Sequence, residues 1–132
     1  MKKYLLDSDI LIDNLNDKLP DQFLKQLSDT AEEISTLPVV LTEVYAGIVD
    51  TVDRKQADNL LGTIEVVDVT RSIGEQAGSI IAEQKKRGSA MGTVDAIIAA
   101  TALEYDLTLI TRNVRHYQGV PELSFVEPNK IS

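Results

Sequence analysis

The chain has no cysteine, a single histidine and few basic residues. Without cysteine there is no disulfide, no thiolate-held zinc and no thiol nucleophile. Redox logic therefore leaves the compartment open, and a reducing cytosol is compatible with the sequence. The seven glycines form neither a GxGxxG nor a Walker pattern, so nothing supports a nucleotide cofactor. Long apolar runs are also missing. The stretch after Lys2-Lys3 is interrupted by Asp7, Asp9 and Asp13 before it reaches the length of a signal-peptide core. The run at 97–102 is far too short to cross a bilayer. The expectation is a cytoplasmic protein with no membrane contact.

Thirteen basic residues stand against twenty-one acidic ones, a formal charge of −8. Proteins that coat nucleic acid gain affinity by releasing phosphate counterions, which needs a basic surface. This balance argues against tight non-specific binding. It leaves room for a small groove in which a cation offsets clustered carboxylates.

The 132 residues suit one domain spanning 1–132. A chain of this size buries roughly two-thirds of its unfolded surface, enough for a true core. Apolar residues make up 43% and no repeat, linker or low-complexity run interrupts the pattern. Strands are expected at Lys3–Leu6, Glu33–Ser35, Ile64–Val69, Leu107–Thr111 and Leu123–Val126. Helices are expected at Asp9–Asn16, at Pro20–Leu27, within Thr36–Val49 from Pro38, and at Arg54–Leu61. Ser72-Ile73-Gly74-Glu75 reads as a capping box for a helix ending near Arg87 and Gly88. Thr93 reads as the cap of a helix through Tyr105, with Val94, Ile97, Ile98, Thr101, Ala102 and Tyr105 at helical spacing. A helical turn is expected at Asn113–Tyr117. Strands alternating with helices predict an α/β sandwich around a mainly parallel sheet flanked by helices.

Polar residues then interrupt this pattern in four places. Asp7 and Asp9 end the first apolar strand, where open α/β sheets bind ligands. Glu43 lies in the otherwise apolar segment 41–47. Asp95 opens a nearly all-apolar helix, and Thr111-Arg112-Asn113 follows the strand at 107–110. Converging carboxylates repel one another, and a divalent cation relieves the repulsion. Oxygen-only donors suit magnesium or manganese. Such a site stabilises the charge that develops on a phosphodiester, which is nuclease chemistry without cysteine or histidine.

Each residue also has a plainer role. Asp9 suits a helix cap, Asp95 a helix-dipole partner, Glu43 a solvated helix face and Asn113 a turn. His116 with Ser8 and Asp7 suggests a triad, but no serine sits on a suitable elbow, so an exposed loop histidine is expected. Arg112 and Arg115 suit phosphate contacts or solvated loop charges. Lys85, Lys86 and Arg87 suit a helix C-terminus.

The segments LLDSDILID, TEVYAG and VDAIIAATALEYDLTLITRN resemble, in that order, the motifs of PIN-domain proteins, with VapC-type toxins the nearest likeness. The resemblance runs from Tyr4 to Tyr117. It implies a helix-flanked sheet, a magnesium-dependent endoribonuclease acting on RNA, and a cognate antitoxin. By this resemblance Asp7, Glu43 and Asp95 fall on the family's first three acidic positions and would hold the metal. The fourth falls in Asn113–His116, where the chain departs from the pattern. Asn113 offers a neutral oxygen, His116 stands where a second acid is frequent, and Asp9 replaces a frequent asparagine. The departure bears on a second metal more than on the first. Ser8, Asp9, Arg112 and Arg115 would support the site or touch substrate.

Two other readings use the same residues. A haloacid-dehalogenase-like phosphatase would take Asp7 as nucleophile and Asp9 as acid/base, but it needs a later lysine and an acidic pair at a strand end. A PIN-fold interaction module with weak or no catalysis would suit Asn113 and the acidic surface. An antitoxin would block the carboxylates with an arginine or lysine. A homodimer is expected because the faces Phe23/Leu24/Leu27 and Val40/Val44/Ile48 exceed what a small sheet covers.

Overall fold

The computed structural model describes residues 2–131. Its elements are β1 (Lys3–Leu6), α1 (Ser8–Leu15), α2 (Phe23–Thr30), β2 (Glu33–Thr36), α3 (Pro38–Ala46) and α4 (Thr51–Leu61). There follow β3 (Glu65–Val66), α5 (Arg71–Lys86), α6 (Thr93–Glu104), β4 (Thr108–Ile110) and β5 (Phe125–Val126), with 3-10 turns at Val114–His116 and Pro128–Lys130. The five strands form one sheet in the order β3-β2-β1-β4-β5, with every pairing parallel. The expected class is therefore the observed one.

Strand order explains where a site can form. The chain winds from β1 outward through β2 to β3, then returns to the other side of β1 as β4 and β5. The direction switches between β1 and β4, and at such a point the loops leaving the carboxyl ends part and leave a crevice. Register sets the two ends level, with Leu6 beside Ile110. The residues that follow, Asp7 and Thr111, are thus placed at the mouth of the crevice.

Central strands are covered on both faces and need continuous apolar sequence. Tyr4, Leu5 and Leu6 are all buried, as are Leu109 and Ile110. Helix α6 is apolar all round because it lies between neighbours on both sides. Ile98, Ala99 and Ala102 join the main core, while Ala96 and Ala100 pack on Ile73 and Ala77 of α5. Small side chains there let the two helices approach closely.

Several boundaries differ from the sequence expectation for local reasons. β3 has two residues rather than six, and Val66 and Val69 are exposed. It is an edge strand, where β-branched residues need no partner on one side. Thr70, not Ser72, caps α5 by accepting a hydrogen bond from the Ile73 N–H at 3.3 Å. Gly92 occupies the cap position of α6, and Thr93 is its first helical residue. Helix α2 begins only at Phe23 because Gln22 takes a left-handed φ of 61°. Helix α3 stops at Ala46, so Ile48 lies beyond it and Val49 is fully exposed.

The faces expected to drive self-association are partly covered within the chain. Leu27, Val40 and Val44 are buried in the main core, with Phe23, Leu24 and Ile48 packed against it. Phe23, Leu24 and Ile48 keep part of their surface open, and that remainder is the apolar area left on those faces. No helix among the described residues is long and apolar enough to cross a membrane.

Candidate active site

Asp7 leaves β1 and turns the chain into α1. Its backbone N–H donates to the Ile110 carbonyl at 3.1 Å, which extends the β1–β4 ladder by one bond. Its side chain caps α1, with Oδ1 accepting from the Ser8 N–H at 2.8 Å. Asp7, rather than Asp9, is thus the cap, because the strand's last pleat aims it across the helix start. Oδ2 accepts from Thr111 Oγ1 at 2.8 Å and from Tyr117 Oη at 3.3 Å. Asp7 is only 5% exposed. Burial holds its carboxyl above the usual range, the Thr111 and Ser8 hydrogen bonds partly oppose this, and the charge of Asp95 adds to it.

Asp95 reaches the same place from the first turn of α6. Oδ1 accepts from Tyr117 Oη at 3.2 Å, and Oδ2 lies 2.9 Å from His116 Nδ1. The phenol of Tyr117 therefore touches both carboxylates. The Tyr117 residue is fully buried, and burial together with the charges of Asp7 and Asp95 pushes its ionisation well above the ordinary tyrosine value. It acts as a neutral donor.

Asp9, in the first turn of α1, is bound from the β4 side. Its Oδ2 accepts from the Arg112 N–H at 2.9 Å and from Asn113 Nδ2 at 3.2 Å. Its Oδ1 is buried without a hydrogen-bond partner. Burial first, then the charge of Asp7, push its carboxyl up to about 6. Arg112 pairs through its guanidinium with Asp13, and the Asn113 N–H donates to Thr111 Oγ1 at 3.0 Å. The loop leaving β4 is thereby fastened to α1 along its length.

The structure brings together Asp7, Asp9, Asp95 and Asn113, but not every residue that the sequence suggested. Glu43 is exposed on the second turn of α3, the helix that leaves the carboxyl end of β2, and no hydrogen bond or ion pair joins it to Asp7 or Asp95 among the described residues. Ser8 contributes its backbone N–H, and Arg115 is exposed. Arg112 is committed to Asp13 rather than free for phosphate. His116 is more than a loop histidine, since it meets Asp95 rather than Ser8. Two participants escaped the sequence reading, Tyr117 and Asp13, while the sequence marks Thr111 only as part of the polar strand end with Arg112 and Asn113. Thr111 and Tyr117 lie inside or beside the segment at 107–117, and a polar residue there on a buried stretch was the available signal.

The donor chemistry suits a hard divalent cation. Every candidate ligand is oxygen, two carboxylates face a common phenol, and one further buried carboxylate oxygen lacks a partner. No three His, Cys, Asp or Glu side chains among the described residues are grouped closely enough to cage an ion alone. Magnesium commonly takes one or two carboxylates and keeps several waters, so the pair Asp7 and Asp95 fits that habit. The phosphatase scheme fits less well. Both oxygens of Asp7 are already hydrogen-bonded in a buried position, which leaves a poor nucleophile.

The family model of the PIN domain matches residues 4–120. Ribonuclease VapC10 of Mycobacterium tuberculosis is 33% identical over 121 residues, which cover 90% of this chain and 89% of the relative. Among solved structures, VapBC2 of Rickettsia felis bound to a promoter DNA fragment superposes with a TM-score of 0.83 at 24% identity, covering 94% of this chain and 97% of the other. A toxin–antitoxin complex from Klebsiella pneumoniae superposes with a TM-score of 0.76 at 28% identity, covering 98% and 100%.

Proposed function

The chain belongs to the PIN-domain family, among its VapC-like members, and from that premise we propose that it is a metal-dependent endoribonuclease, the toxin of a toxin–antitoxin pair. One observation carries the reading: Asp7, at the topological switch point, and Asp95 share the Tyr117 hydroxyl at the mouth of the crevice. Asp7 and Asp95 would hold magnesium or manganese, with Glu43 as a third, outer carboxylate. When bound, the cation supplies Lewis-acid stabilisation of the charge developing on a phosphodiester.

The chain's own residues do the rest. Thr111 and the Ser8 N–H fix the orientation of Asp7. The Arg112 N–H and Asn113 hold Asp9 beside it, adding negative charge that favours a cation in the crevice. Asn113 serves as an orienting amide, and Arg115, exposed and without an ion pair among the described residues, is placed to meet RNA phosphate. The net charge of −8 matches a protein that engages RNA locally rather than coating it.

A partner protein that carries arginine or lysine into this crevice would neutralise the same carboxylates. The Klebsiella pneumoniae neighbour is itself a toxin–antitoxin complex, which supports such a partner here. Val49 and Val52, 99% and 65% exposed at the α3–α4 corner, offer that partner apolar surface. The test is an RNA cleavage assay with magnesium, with chelator, and with Asp95→Asn, repeated after co-expression with the neighbouring reading frame. Cleavage that needs both the metal and Asp95 and is suppressed by the neighbour is expected. Cleavage unaffected by chelator and by Asp95→Asn would remove the nuclease assignment.

A further inference from the structure

We infer that the Tyr117 hydroxyl is a positioning group that sets the spacing of the Asp7 and Asp95 carboxylates for a cation, and that Gln84 holds it in place through Gly119. The inference rests on the nuclease reading only in taking those two carboxylates as the cation's ligands.

Asp7 and Asp95 stand on unrelated elements, a strand end and a helix start, and they repel one another. Their other partners do not connect them. Ser8 and Thr111 serve Asp7 alone, and His116 serves Asp95 alone. Among the described residues only the phenol, at 3.3 and 3.2 Å, spans the two. A hydroxyl carries one hydrogen, so it donates to one carboxylate while its oxygen faces the other. The arrangement holds the pair at a fixed separation yet leaves it short of positive charge. A cation supplies that charge without any rearrangement of the frame.

Packing does not call for the hydroxyl. The ring is fully buried in the main core, and phenylalanine would fill the same volume. What the sequence adds is one oxygen, aimed by the chain on either side. The Tyr117 N–H donates to Val114 O, and the Val120 N–H donates to Tyr117 O. Gln84 of α5 then ties this turn down. It is a polar side chain only 5% exposed, and its Nε2 donates to Gly119 O at 2.6 Å. A Cβ at position 119 would come within 2.6 Å of Gln84 Oε1, so any larger residue there would push the amide away from this turn. Burying an amide is costly unless it is satisfied, and here its bond is spent on the segment that carries Tyr117.

The test is calorimetric titration of the full chain with Mn2+, comparing the parent, Tyr117→Phe and Gln84→Met, with a thermal melt of each in metal-free buffer. Removing a group that orients a metal ligand typically weakens affinity by about 10–100-fold. Tyr117→Phe is expected to lose about that much while melting close to the parent. Gln84→Met keeps the hydroxyl but frees the turn, and is expected to bind several-fold more weakly; it carries the test should the Phe variant not fold. Parent-like or tighter binding by a folded Tyr117→Phe overturns the inference and leaves the nuclease reading intact. Failure of the parent to bind Mn2+ at millimolar concentration removes the cation site itself, and the inference with it.

Discussion

His116 closes the outer edge of Asp95, its Nδ1 lying 2.9 Å from Oδ2 on the oxygen that Tyr117 does not touch. Each Asp95 oxygen therefore has its own partner, one from the protein interior and one half-exposed. The carboxylate is held in a single orientation without being sealed from the crevice.

Asp95→Asn preserves this geometry, since an amide oxygen accepts from Tyr117 and the amide nitrogen can donate to His116. Only the charge is lost. We expect RNA cleavage to fall by at least about 100-fold, the scale of removing a group that stabilises transition-state charge. Melting in metal-free buffer should stay at or above the parent value, because a repulsion with Asp7 disappears. A gel assay and a thermal melt on the same sample check both halves.

The buried carboxyls give the metal-free protein an unusual pH profile. Asp9 sits at about 6 against an ordinary 3.8, so the native state holds a proton that the unfolded chain releases between those values. Stability from this group is present below the lower value and lost as pH rises through the upper one. Asp7 is raised in the same direction. Asp9→Asn should therefore stabilise the metal-free protein at pH 7.5 by about 1 kcal/mol, discounted from the full shift because the side chain is partly open to water. The gain should vanish near pH 4. Urea titrations of parent and variant at both pH values measure it.

Divalent metal should stabilise the parent by mass action. With a dissociation constant near 1 mM, adding 10 mM magnesium contributes about 1.4 kcal/mol, or roughly 4 °C in melting temperature. Asp95→Asn should show no such rise. An equal rise in both would locate the binding elsewhere.

The α5–α6 contact makes a prediction independent of function. Ala100 is fully buried against Ile73 and Ala77, so a longer side chain would have to displace these neighbours. Ala100→Leu should cost about 1–3 kcal/mol by overpacking. A lower urea midpoint with unchanged slope is the expected signature.

Much of this was legible in the chain. The unbroken apolar runs at Tyr4–Leu6 and Leu109–Ile110 announce central parallel strands, and Asp7 follows the first of them. Apolar pattern also located α6 and, with it, Asp95. Caps were less legible, since Thr70 and Ser72 both suit the start of α5 and only the path of the loop from β3 selects Thr70. The length of β3 depends on its edge position, which composition does not encode. The network around the site was hidden for another reason. Tyr117 reads as an ordinary core aromatic, and Asp13 as a solvated helix residue, until β4 is laid beside β1 and the loop after it meets α1. Glu43, marked by its apolar neighbours, stands exposed on α3, and burial alone neither places it in the crevice nor removes it.

The bonds that orient Asp7 come from Thr111 and Tyr117, 104 and 110 residues further along the chain. On a ribosome, β1 emerges well before its β4 neighbour, and long-range pairings are completed only when the distant segment is out. A nascent chain thus carries Asp7 and Asp9 well before anything aligns them. The crevice is complete only once the segment through Tyr117 has docked, so the alignment of Asp7 waits on residues more than a hundred positions away.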